Sequence, residues 1–411
     1  MKKETKKRVL LFALTYYPKF VGGDGVAIKE ITDRISDNEY EFHMVTLRLD
    51  STLPKYEKFG NVHIYRVGFS KELPTPEELV KFPMYFAKIL FPISACIQAV
   101  KLHKKHSYDF LWGMMAYAGF PIVFFNMLFP KVPILLTLQD GDPIEVIVGR
   151  ARVKAVLPLF KRIFKITTHI QSISNYLAMF ARGMGYKKDI TIVPNGVDYE
   201  KFASVDRNRV GEQRLLLEKK FKEVVNPFML FTASRLVKKN ANDIVIRSLK
   251  EMPDRVVFVI AGLGPDEQML RQLAKSEGVS DRVLFLGHQQ FDDLPTYYHA
   301  SDCFIRPSRT EGFGNSFIEA MAANVPVIAT TAGGIKDFLF HDENGLEVGI
   351  ESTEDIATQV HRLLNETGLR ERITKNAKEM AKEMYDWNII VKQMKEVFAK
   401  MVDKEKGSAT K

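Results

Sequence analysis

Residues 303–322 read CFIRPSRTEGFGNSFIEAMA, an apolar segment followed by a glycine-containing loop and a second apolar segment. The pattern predicts a strand over Cys303–Arg306 and a helix that begins near Asn315. The first N–H groups of a helix lack intrahelical partners and its dipole is positive there, so this turn suits a phosphate group. Gly312 and Gly314 would let the backbone approach such a ligand closely.

Two glutamates, Glu311 and Glu319, lie eight positions apart in this stretch. A carboxylate beside a phosphate site is suited to a sugar, because it accepts two hydrogen bonds from a vicinal diol. Spacing alone leaves open a plainer alternative, a helix cap and a solvated helix face. The stretch therefore indicates, without deciding, a sugar-phosphate ligand.

The same alternation of strand and helix extends along the chain in both directions. Apolar strands are predicted at 9–15, 42–47, 62–67, 110–112, 134–138 and 190–193, and again at 228–233, 256–261, 283–286, 303–306, 325–330 and 346–348. Predicted helices separate many of them and also close the chain. This βαβ pattern predicts an α/β protein with two doubly wound parallel sheets, and a cleft at the carboxyl ends of their strands.

Length and composition support this division. A chain of 411 residues exceeds the ~250–300 at which a single core stops growing. We expect an N-terminal domain over 1–200, a polar interdomain passage over 201–226 and a second domain over 227–385. A helix over 386–402 and a disordered tail over 403–411 complete the chain.

Several protein classes are excluded by composition. Hydrophobic residues make up 46% and charged residues 27%, which excludes disordered, collagen-like and polytopic membrane proteins. The only cysteines, Cys96 and Cys303, exclude a disulfide framework and indicate a reducing compartment. The apolar run Val9–Leu14 lacks a following cleavage site and is interpreted as a buried strand, not a signal peptide. Residues 82–100 and 114–129 are interrupted apolar stretches and are expected to be core-facing helices, either of which could touch a bilayer.

The positive charge is concentrated in one half of the chain. Residues 1–200 carry 28 basic and 19 acidic side chains, whereas residues 201–411 carry 31 of each. A basic half favours a phosphate, nucleic-acid or anionic-membrane partner, and the alternative is a solubility charge without a partner. No helix-turn-helix, zinc or RNA-binding signature is present, so nucleic acid is not expected.

Residues 149–166 combine basic and apolar side chains, and two interpretations are close in weight, of which contact with an anionic membrane is the second. The alternative is a core-packed helix with a basic exposed face. The basic residues are Arg150, Arg152, Lys154, Lys161, Arg162 and Lys165, and the apolar ones are Val156, Leu157, Phe160, Ile163 and Phe164.

Taken with the Gly-Phe-Gly between them, Glu311 and Glu319 resemble the E-x7-E signature of retaining glycosyltransferase family 4. The sequences EAMA and PVIAT that follow fit the same pattern. Other segments match that family in order along the chain: Gly22-Gly23, PNGVD at 194–198, SRLV at 234–237, GLGP at 262–265, LGH at 286–288, Gly333-Gly334 and Asn344-Gly345.

The resemblance implies the GT-B fold, in which two Rossmann-like domains face each other across a cleft and the last helix crosses back to the first domain. It implies retaining, metal-independent transfer of a hexosyl group from a nucleotide diphosphate sugar to an acceptor hydroxyl. The leaving phosphate would assist the incoming hydroxyl, and no cofactor is expected. A glycan or lipid-linked acceptor, polysaccharide or glycolipid assembly and a cytoplasmic location in peripheral contact with the inner membrane face follow as expectations.

The resemblance also implies roles for particular residues. Glu319 would bind the ribose diol, Glu311 would contact the donor sugar, and Arg235 would neutralise the leaving diphosphate. The remaining donor-side positions are Gly312, Phe313, Gly314, Asn315, Lys239, Asn240, Gly262, Gly264 and His288. Gly22, Gly23 and Asp24 would form the loop beside the acceptor and the diphosphate, although a helix-capping role for Asp24 is the stronger interpretation.

The chain departs from the family pattern in two places, at Asn240-Ala241 and at Gln139. Asn240 and Ala241 replace a lysine and glycine, so either Lys239 reaches the donor from a shifted loop or donor affinity is weaker; a solvated turn is the alternative for Lys238 and Lys239. Gln139 replaces a histidine found in many relatives. Glutamine cannot titrate near neutrality, so Gln139 is expected to orient a sugar hydroxyl and not to act as a general base.

Other functions share this architecture. A nucleotide-sugar 2-epimerase needs no acceptor, but the Glu311–Glu319 motif argues against it. A non-catalytic nucleotide-sugar binder stays open because of Asn240 and Gln139.

Overall fold

The computed structural model describes residues 6–19, 22–74, 78, 81–139, 156–222 and 224–408. The chain divides into two compact units. The first comprises Met1–Pro194 with Asn388–Lys411, and the second comprises Asn195–Trp387.

The first unit has eight strands in its described residues: β1 (Lys7–Phe12), β2 (Tyr40–Leu47), β3 (Tyr56–Phe59), β4 (Val62–Val67), β5 (Phe110–Met114), β6 (Ile134–Leu138), β7 (His169–Ser172) and β8 (Ile190–Ile192). They form one sheet in the order β3-β4-β2-β1-β5-β6-β7-β8. All neighbours pair in parallel except β3 with β4. The sequence analysis missed β3, where exposed and half-buried residues alternate, and β7, whose buried residues are mostly polar.

Five helices of the first unit follow these strands: α1 (Gly23–Asp33), α2 (Met84–His106), α3 (Gly119–Leu128), α4 (Leu157–Ile166) and α5 (Asn175–Gly183). By length and composition alone, α2 could cross a membrane. One face of α2, which includes Phe91, Ala95 and Leu102, is buried in the core beside the sheet. The prediction of a core-facing helix therefore holds for that face.

The basic stretch 149–166 is only partly described, because Arg150, Arg152 and Lys154 lie outside the described residues. In α4, Phe160, Ile163 and Phe164 are buried. The basic residues Lys161, Arg162 and Lys165 are exposed. These apolar side chains pack in the protein interior, so α4 is a core-packed helix with a basic exposed face.

The second unit has six strands in its described residues: β9 (Phe228–Ala233), β10 (Val256–Ala261), β11 (Val283–Gly287), β12 (Cys303–Arg306), β13 (Val327–Ala329) and β14 (Leu346–Glu347). Their order is β11-β10-β9-β12-β13-β14, and every pair is parallel. This is the doubly wound strand order, which reverses direction between β9 and β12. The prediction of two Rossmann-like α/β sheets is confirmed.

The helices of the second unit are α6 (Tyr199–Ala203), α7 (Arg207–Glu218), α8 (Asn242–Ser248), α9 (Glu267–Ser276), α10 (Leu294–His299), α11 (Asn315–Ala322), α12 (Thr353–Asn365) and α13 (Leu369–Met384). Part of α6 and all of α7 fall in the expected passage 201–226. Phe202 and Leu217 are buried. Because these side chains pack in a core, the structure places 201–226 inside the second unit.

The last helix, α14 (Trp387–Ser408), is built into the first unit from Asn388 onward. Phe398 is fully buried and packs against Phe42, Phe110 and Trp112, with ring centroids 5.0–6.1 Å away. The helix continues to Ser408, so most of the segment 403–411, predicted to be a disordered tail, is helical.

Replacing Phe398 with alanine removes the ring contacts that join α14 to β2 and β5 of the first sheet. We expect Phe398→Ala to lower the free energy of unfolding of the first unit by about 3–5 kcal/mol, because the ring leaves a cavity among aromatic neighbours. Denaturant titration measures the change, with exposed Lys392→Ala on the same helix as the control. Equal effects of the two variants would contradict this packing.

Candidate functional site

The loops after β9 and β12 start at the point where the strand order of the second sheet reverses. In open α/β sheets ligands bind at the carboxyl ends of strands beside such a point. Arg235 follows β9, and the loop that contains Glu311 follows β12. The two segments singled out in the sequence therefore lie at neighbouring strand ends.

Arg306, the last residue of β12, organises the loop after it. Its buried guanidinium donates through Nη2 to Glu311 Oε2 at 2.9 Å and through Nη1 to Ser316 Oγ at 2.8 Å. Its Cζ also lies 4.2 Å from the centroid of the Phe317 ring. Leaving one charge of a buried pair without its partner typically costs ~3–5 kcal/mol. Arg306 and Glu311 consequently fix each other's position.

Sequence reasoning missed Arg306. A charged residue at the end of an otherwise apolar, buried parallel strand was the available signal, because such a residue needs a partner.

Glu311 is also held by the backbone. Its Oε1 accepts from the Gly312 N–H at 3.0 Å, so that amide, expected at the donor, is bonded to Glu311 here. The carbonyl of Glu311 accepts from Gly334 N–H at 2.9 Å. Gly333 has φ +63°, and a Cβ there would lie 2.1 Å from the same carbonyl oxygen. The Gly333-Gly334 pair thus supports the glutamate loop by close backbone contact.

Glu319 lies in the second turn of α11 and is nine-tenths buried. Its Oε2 accepts a 2.9 Å hydrogen bond from the hydroxyl of Tyr298 on α10. Burial raises the pKa of Glu319 to about 7, against the opposing effects of the Tyr298 hydrogen bond and the charge of Arg306. The carboxyl therefore titrates near neutral pH.

The start of α11 is crowded. Gly314, with φ +98°, caps the helix, and a Cβ at this position would lie 2.5 Å from the Phe317 ring and 2.9 Å from Arg306 Nη2. Phe313 is buried against Phe338 and Tyr385, so its ring belongs to the core and only its backbone can serve a ligand.

Asn315 begins α11, and its side chain is engaged within the second unit. Its Oδ1 accepts from Asn195 Nδ2 at 3.2 Å.

A 3-10 turn at Lys238–Asn240 lies close to Glu311. Lys239 Nζ lies 4.0 Å from Glu311 Oε1. The turn is secured by Arg309, whose backbone N–H donates to the Lys239 carbonyl at 2.8 Å and whose side chain pairs with Asp243. Lys239 therefore lies beside Glu311, one of the residues expected to contact the donor.

Asn240 is buried and stabilises the turn. Its Nδ2 donates to the Arg235 carbonyl at 2.7 Å. The side chain therefore closes the loop that carries Arg235, which is itself exposed.

Gly262 and Gly264 are required by backbone packing. A Cβ on Gly262 would lie 1.9 Å from the Ser234 carbonyl oxygen, and one on Gly264 would lie 2.1 Å from the Leu236 carbonyl oxygen. Both glycines let the loop after β10 pack against the loop that carries Arg235. His288 follows β11 and is exposed.

Several buried polar atoms at this edge lack a hydrogen-bond partner among the described residues. They belong to Thr232, Ser234, Asn240, Asn242, Arg306 and Ser308. Buried polar groups are normally satisfied by protein or ordered water. The concentration of such atoms at the ends of β9 and β12 indicates where water or a polar ligand binds.

The predicted residues of the first unit also lie at carboxyl strand ends. Gly22 is the N-cap of α1, Gly23 begins the helix, and Asp24 lies in its first turn. The backbone amides of Asp24 and Gly25 donate to the Asp24 carboxylate, while burial raises the pKa of that group. The Asp24 carboxyl therefore lies beside the first backbone amides of α1, whose N-cap residue is Gly22. Gln139 follows β6. It is half-buried and interacts with another group of the protein.

Two family models match successive parts of the chain. Residues 21–201 match the description Glycosyltransferase Family 4, and residues 214–380 match Glycosyl transferases group 1. Both describe enzymes that transfer glycosyl groups, and together they span both units. These matches confirm the resemblance to glycosyltransferase family 4 found in the motifs of the chain.

Relatives and solved structures agree with this assignment. An uncharacterized glycosyltransferase of Methanocaldococcus jannaschii is 25% identical, over 95% of this chain and 97% of its own. A GDP-mannose-dependent alpha-(1-6)-phosphatidylinositol monomannoside mannosyltransferase of Mycobacterium tuberculosis is 32% identical, over 53% of this chain and 58% of its own.

The fold resembles solved GT-B structures. Sucrose-phosphate synthase of Thermosynechococcus elongatus has a TM-score of 0.78 at 18% identity, with 96% of this chain and 99% of that one covered. HepE of Anabaena, in complex with UDP and glucose, has a TM-score of 0.75 at 19% identity, with coverages of 96% and 100%. The GT-B fold is therefore confirmed.

The pKa of Glu319 leads to a test by stability. Its ordinary value is 4.5 and its value in the folded chain is about 7. Between these values the folded state binds more protons than the unfolded state, so stability falls as pH rises through this window. Glu319→Gln removes the free-energy cost of burying an ionised carboxylate and keeps a hydrogen-bond acceptor for the Tyr298 hydroxyl. We expect it to stabilise the second unit at pH 8 by on the order of 2–3 kcal/mol.

Thermal or denaturant unfolding at pH 4.5 and pH 8 measures this effect, with exposed Glu383→Gln as the control. The gain should disappear at the lower pH. A gain of the same size at both values would contradict burial of an ionised carboxylate.

Proposed function

We propose that this glycosyltransferase moves a hexosyl group from a nucleotide diphosphate sugar to an acceptor hydroxyl with retention of configuration and without a metal ion. Glu319 binds the ribose diol, Glu311 positions the donor sugar, and Arg235 and Lys239 neutralise the diphosphate as it leaves. Gln139 orients a sugar hydroxyl.

The proposal rests mainly on one observation, the Arg306–Glu311 pair at the reversal point of the second sheet. Both residues are held at hydrogen-bond distance, and Lys239 lies 4.0 Å from the same carboxylate. Cationic groups fixed near a site where negative charge develops stabilise the transition state without reorganising. This arrangement supports phosphate departure assisted by side chains and helix-end amides.

The donor and acceptor classes are supported by relatives. The mycobacterial relative is named as GDP-mannose-dependent and as acting on a phosphatidylinositol mannoside, and HepE was solved with UDP-glucose. We therefore propose a GDP- or UDP-sugar donor and a glycan or lipid-linked acceptor in cell-envelope glycan assembly. The two donor bases are distinguished by thermal shift, because the matching ligand raises the melting temperature by mass action.

Arg235→Met tests the leaving-group role. We expect kcat to fall about 10²–10³-fold, the usual loss when one preorganised stabiliser of developing charge is removed. Steady-state transfer with the donor selected by thermal shift measures it. Arg247→Met, an exposed arginine paired with Glu277, serves as the control. A loss no larger than that of the control would contradict the role.

The mechanism is tested separately. NMR of the transferred sugar reports its anomeric configuration, and transfer in excess EDTA reports metal dependence. We expect retention and full activity, and inversion or loss of activity in EDTA would contradict the respective part of the proposal. In a variant that tests Glu311, glutamine is a better replacement than alanine, because glutamine keeps a hydrogen-bond acceptor for the Arg306 guanidinium.

Peripheral membrane contact is part of the proposed function, and α2 supports it. The face of α2 opposite its core side exposes a row of large apolar residues that begins just before the helix: Phe82, Phe86, Ile89, Leu90, Ile93 and Ile97. The spacing places them on one stripe. Monomeric proteins rarely expose such continuous apolar surface without a binding role.

The charge of α2 matches an anionic bilayer. The helix contains no aspartate or glutamate, and Lys101, Lys104 and Lys105 are exposed beyond the apolar part of the stripe. Apolar insertion combined with lysine contacts is typical of helices that lie at a membrane surface. The membrane surface is therefore assigned to α2, and not to the apolar residues of α4.

Phe86→Glu combined with Ile93→Glu tests this surface. We expect wild type to sediment with anionic vesicles more than with neutral ones and to be released by salt. The double variant should bind at least about tenfold more weakly, since each buried apolar side chain contributes ~1.5–3 kcal/mol. Leu215→Glu with Leu216→Glu, exposed on α7, is the matched control. No sedimentation of wild type above the neutral vesicles, or equal binding of both double variants, would contradict the assignment.

A further inference from the structure

A histidine-rich cluster lies at the amino-terminal edge of the first sheet, away from the carboxyl strand ends that carry Gly22 and Gln139. Glu41 and His43 are the second and fourth residues of β2 and point to the same face. His63 on β4 pairs directly with His43 in the strand register. One ligand atom from each of these three side chains lies within 4.8 Å of the others.

We propose that Glu41, His43 and His63 bind a divalent transition-metal ion of the Zn²⁺ class. Two imidazoles and one carboxylate are a donor set typical of such ions, with a further position left for water. Zinc bonds of about 2 Å place ligand atoms a little over 3 Å apart, so the three side chains, whose ligand atoms lie within 4.8 Å of one another, would move closer together on binding.

The two oxygens of Glu41 have different surroundings. Arg8 Nε lies 3.2 Å and Lys6 Nζ 3.8 Å from Oε2. Oε1 instead lies 3.0 Å from His43 Nε2. Arg8 and Lys6 therefore both lie beside Glu41 Oε2, whereas Glu41 Oε1 is directed toward the histidines.

Each histidine has a tyrosine on its second ring nitrogen. The hydroxyl of Tyr108 lies 2.6 Å from His43 Nδ1, and the hydroxyl of Tyr56 lies 3.0 Å from His63 Nδ1. Metal-binding histidines usually bond their second nitrogen in this way, which fixes the tautomer and the ring orientation. Coordination by Nε2 would move the ring proton of His43 to Nδ1, from which it can donate to the Tyr108 oxygen.

Exposure also suits an ion that enters from solvent. His43 is buried, whereas Glu41 and His63 are half-buried. An ion here would connect β2 to β4 and stabilise the sheet, separately from glycosyl transfer.

Zn²⁺ titration of the full chain, followed by calorimetry and by the melting temperature, tests the site. We expect one Zn²⁺ per chain and a rise in melting temperature, and no effect of Mg²⁺, which prefers oxygen ligands. His63→Gln should weaken Zn²⁺ binding more than tenfold, and Tyr56→Phe about tenfold, the usual cost of losing a supporting hydrogen bond. His361→Gln, a histidine of the second unit, should bind as wild type.

Circular dichroism without zinc checks that each variant is folded. Because Tyr56 is exposed and is not a proposed ligand, Tyr56→Phe leaves the three ligands intact. Absence of Zn²⁺ binding by wild type, equal binding by His63→Gln and His361→Gln, or no weakening in Tyr56→Phe would overturn the proposal.

Discussion

The buried guanidinium of Arg306 is the constraint on which the rest of the candidate site depends. A charge in this position must be paired, and Glu311 provides the opposite charge while Ser316 and Phe317 complete the contact. The pairing fixes the loop after β12 relative to the first turn of α11. The same guanidinium leaves no room for a side chain at Gly314. One arginine thus couples strand, loop and helix.

The donor side of the second unit is assembled by close backbone contact as much as by side chains. Gly262 and Gly264 bring the loop after β10 against the loop that carries Arg235, and Asn240 bonds the Arg235 carbonyl. Asn240, one of the residues that depart from the family pattern, therefore stabilises the loop geometry. Charge near the glutamates comes from Arg306 and Lys239, which stand where the family pattern alone would not place them.

The first unit carries a different kind of chemistry. Its positive surplus includes the lysines that follow the apolar stripe of α2, while the apolar residues of α4 pack in the core. Its histidine-rich edge lies at the other end of the sheet from Gly22 and Gln139. A single, mostly parallel sheet thus separates three surfaces, because strand ends and flanking helices point in different directions.

The α/β class, most of the strands and the resemblance to the family could be predicted from the linear sequence. Those features depend on local periodicity and on residue spacing, which a linear chain displays directly. Only tertiary structure decided that Arg306 is the partner of Glu311, that Tyr298 meets a buried Glu319, and that residues 201–226 join the second unit. The histidines of β2 and β4 likewise meet only through strand pairing. Such contacts join residues far apart in the chain or in different elements, so burial and register, not local pattern, determine them.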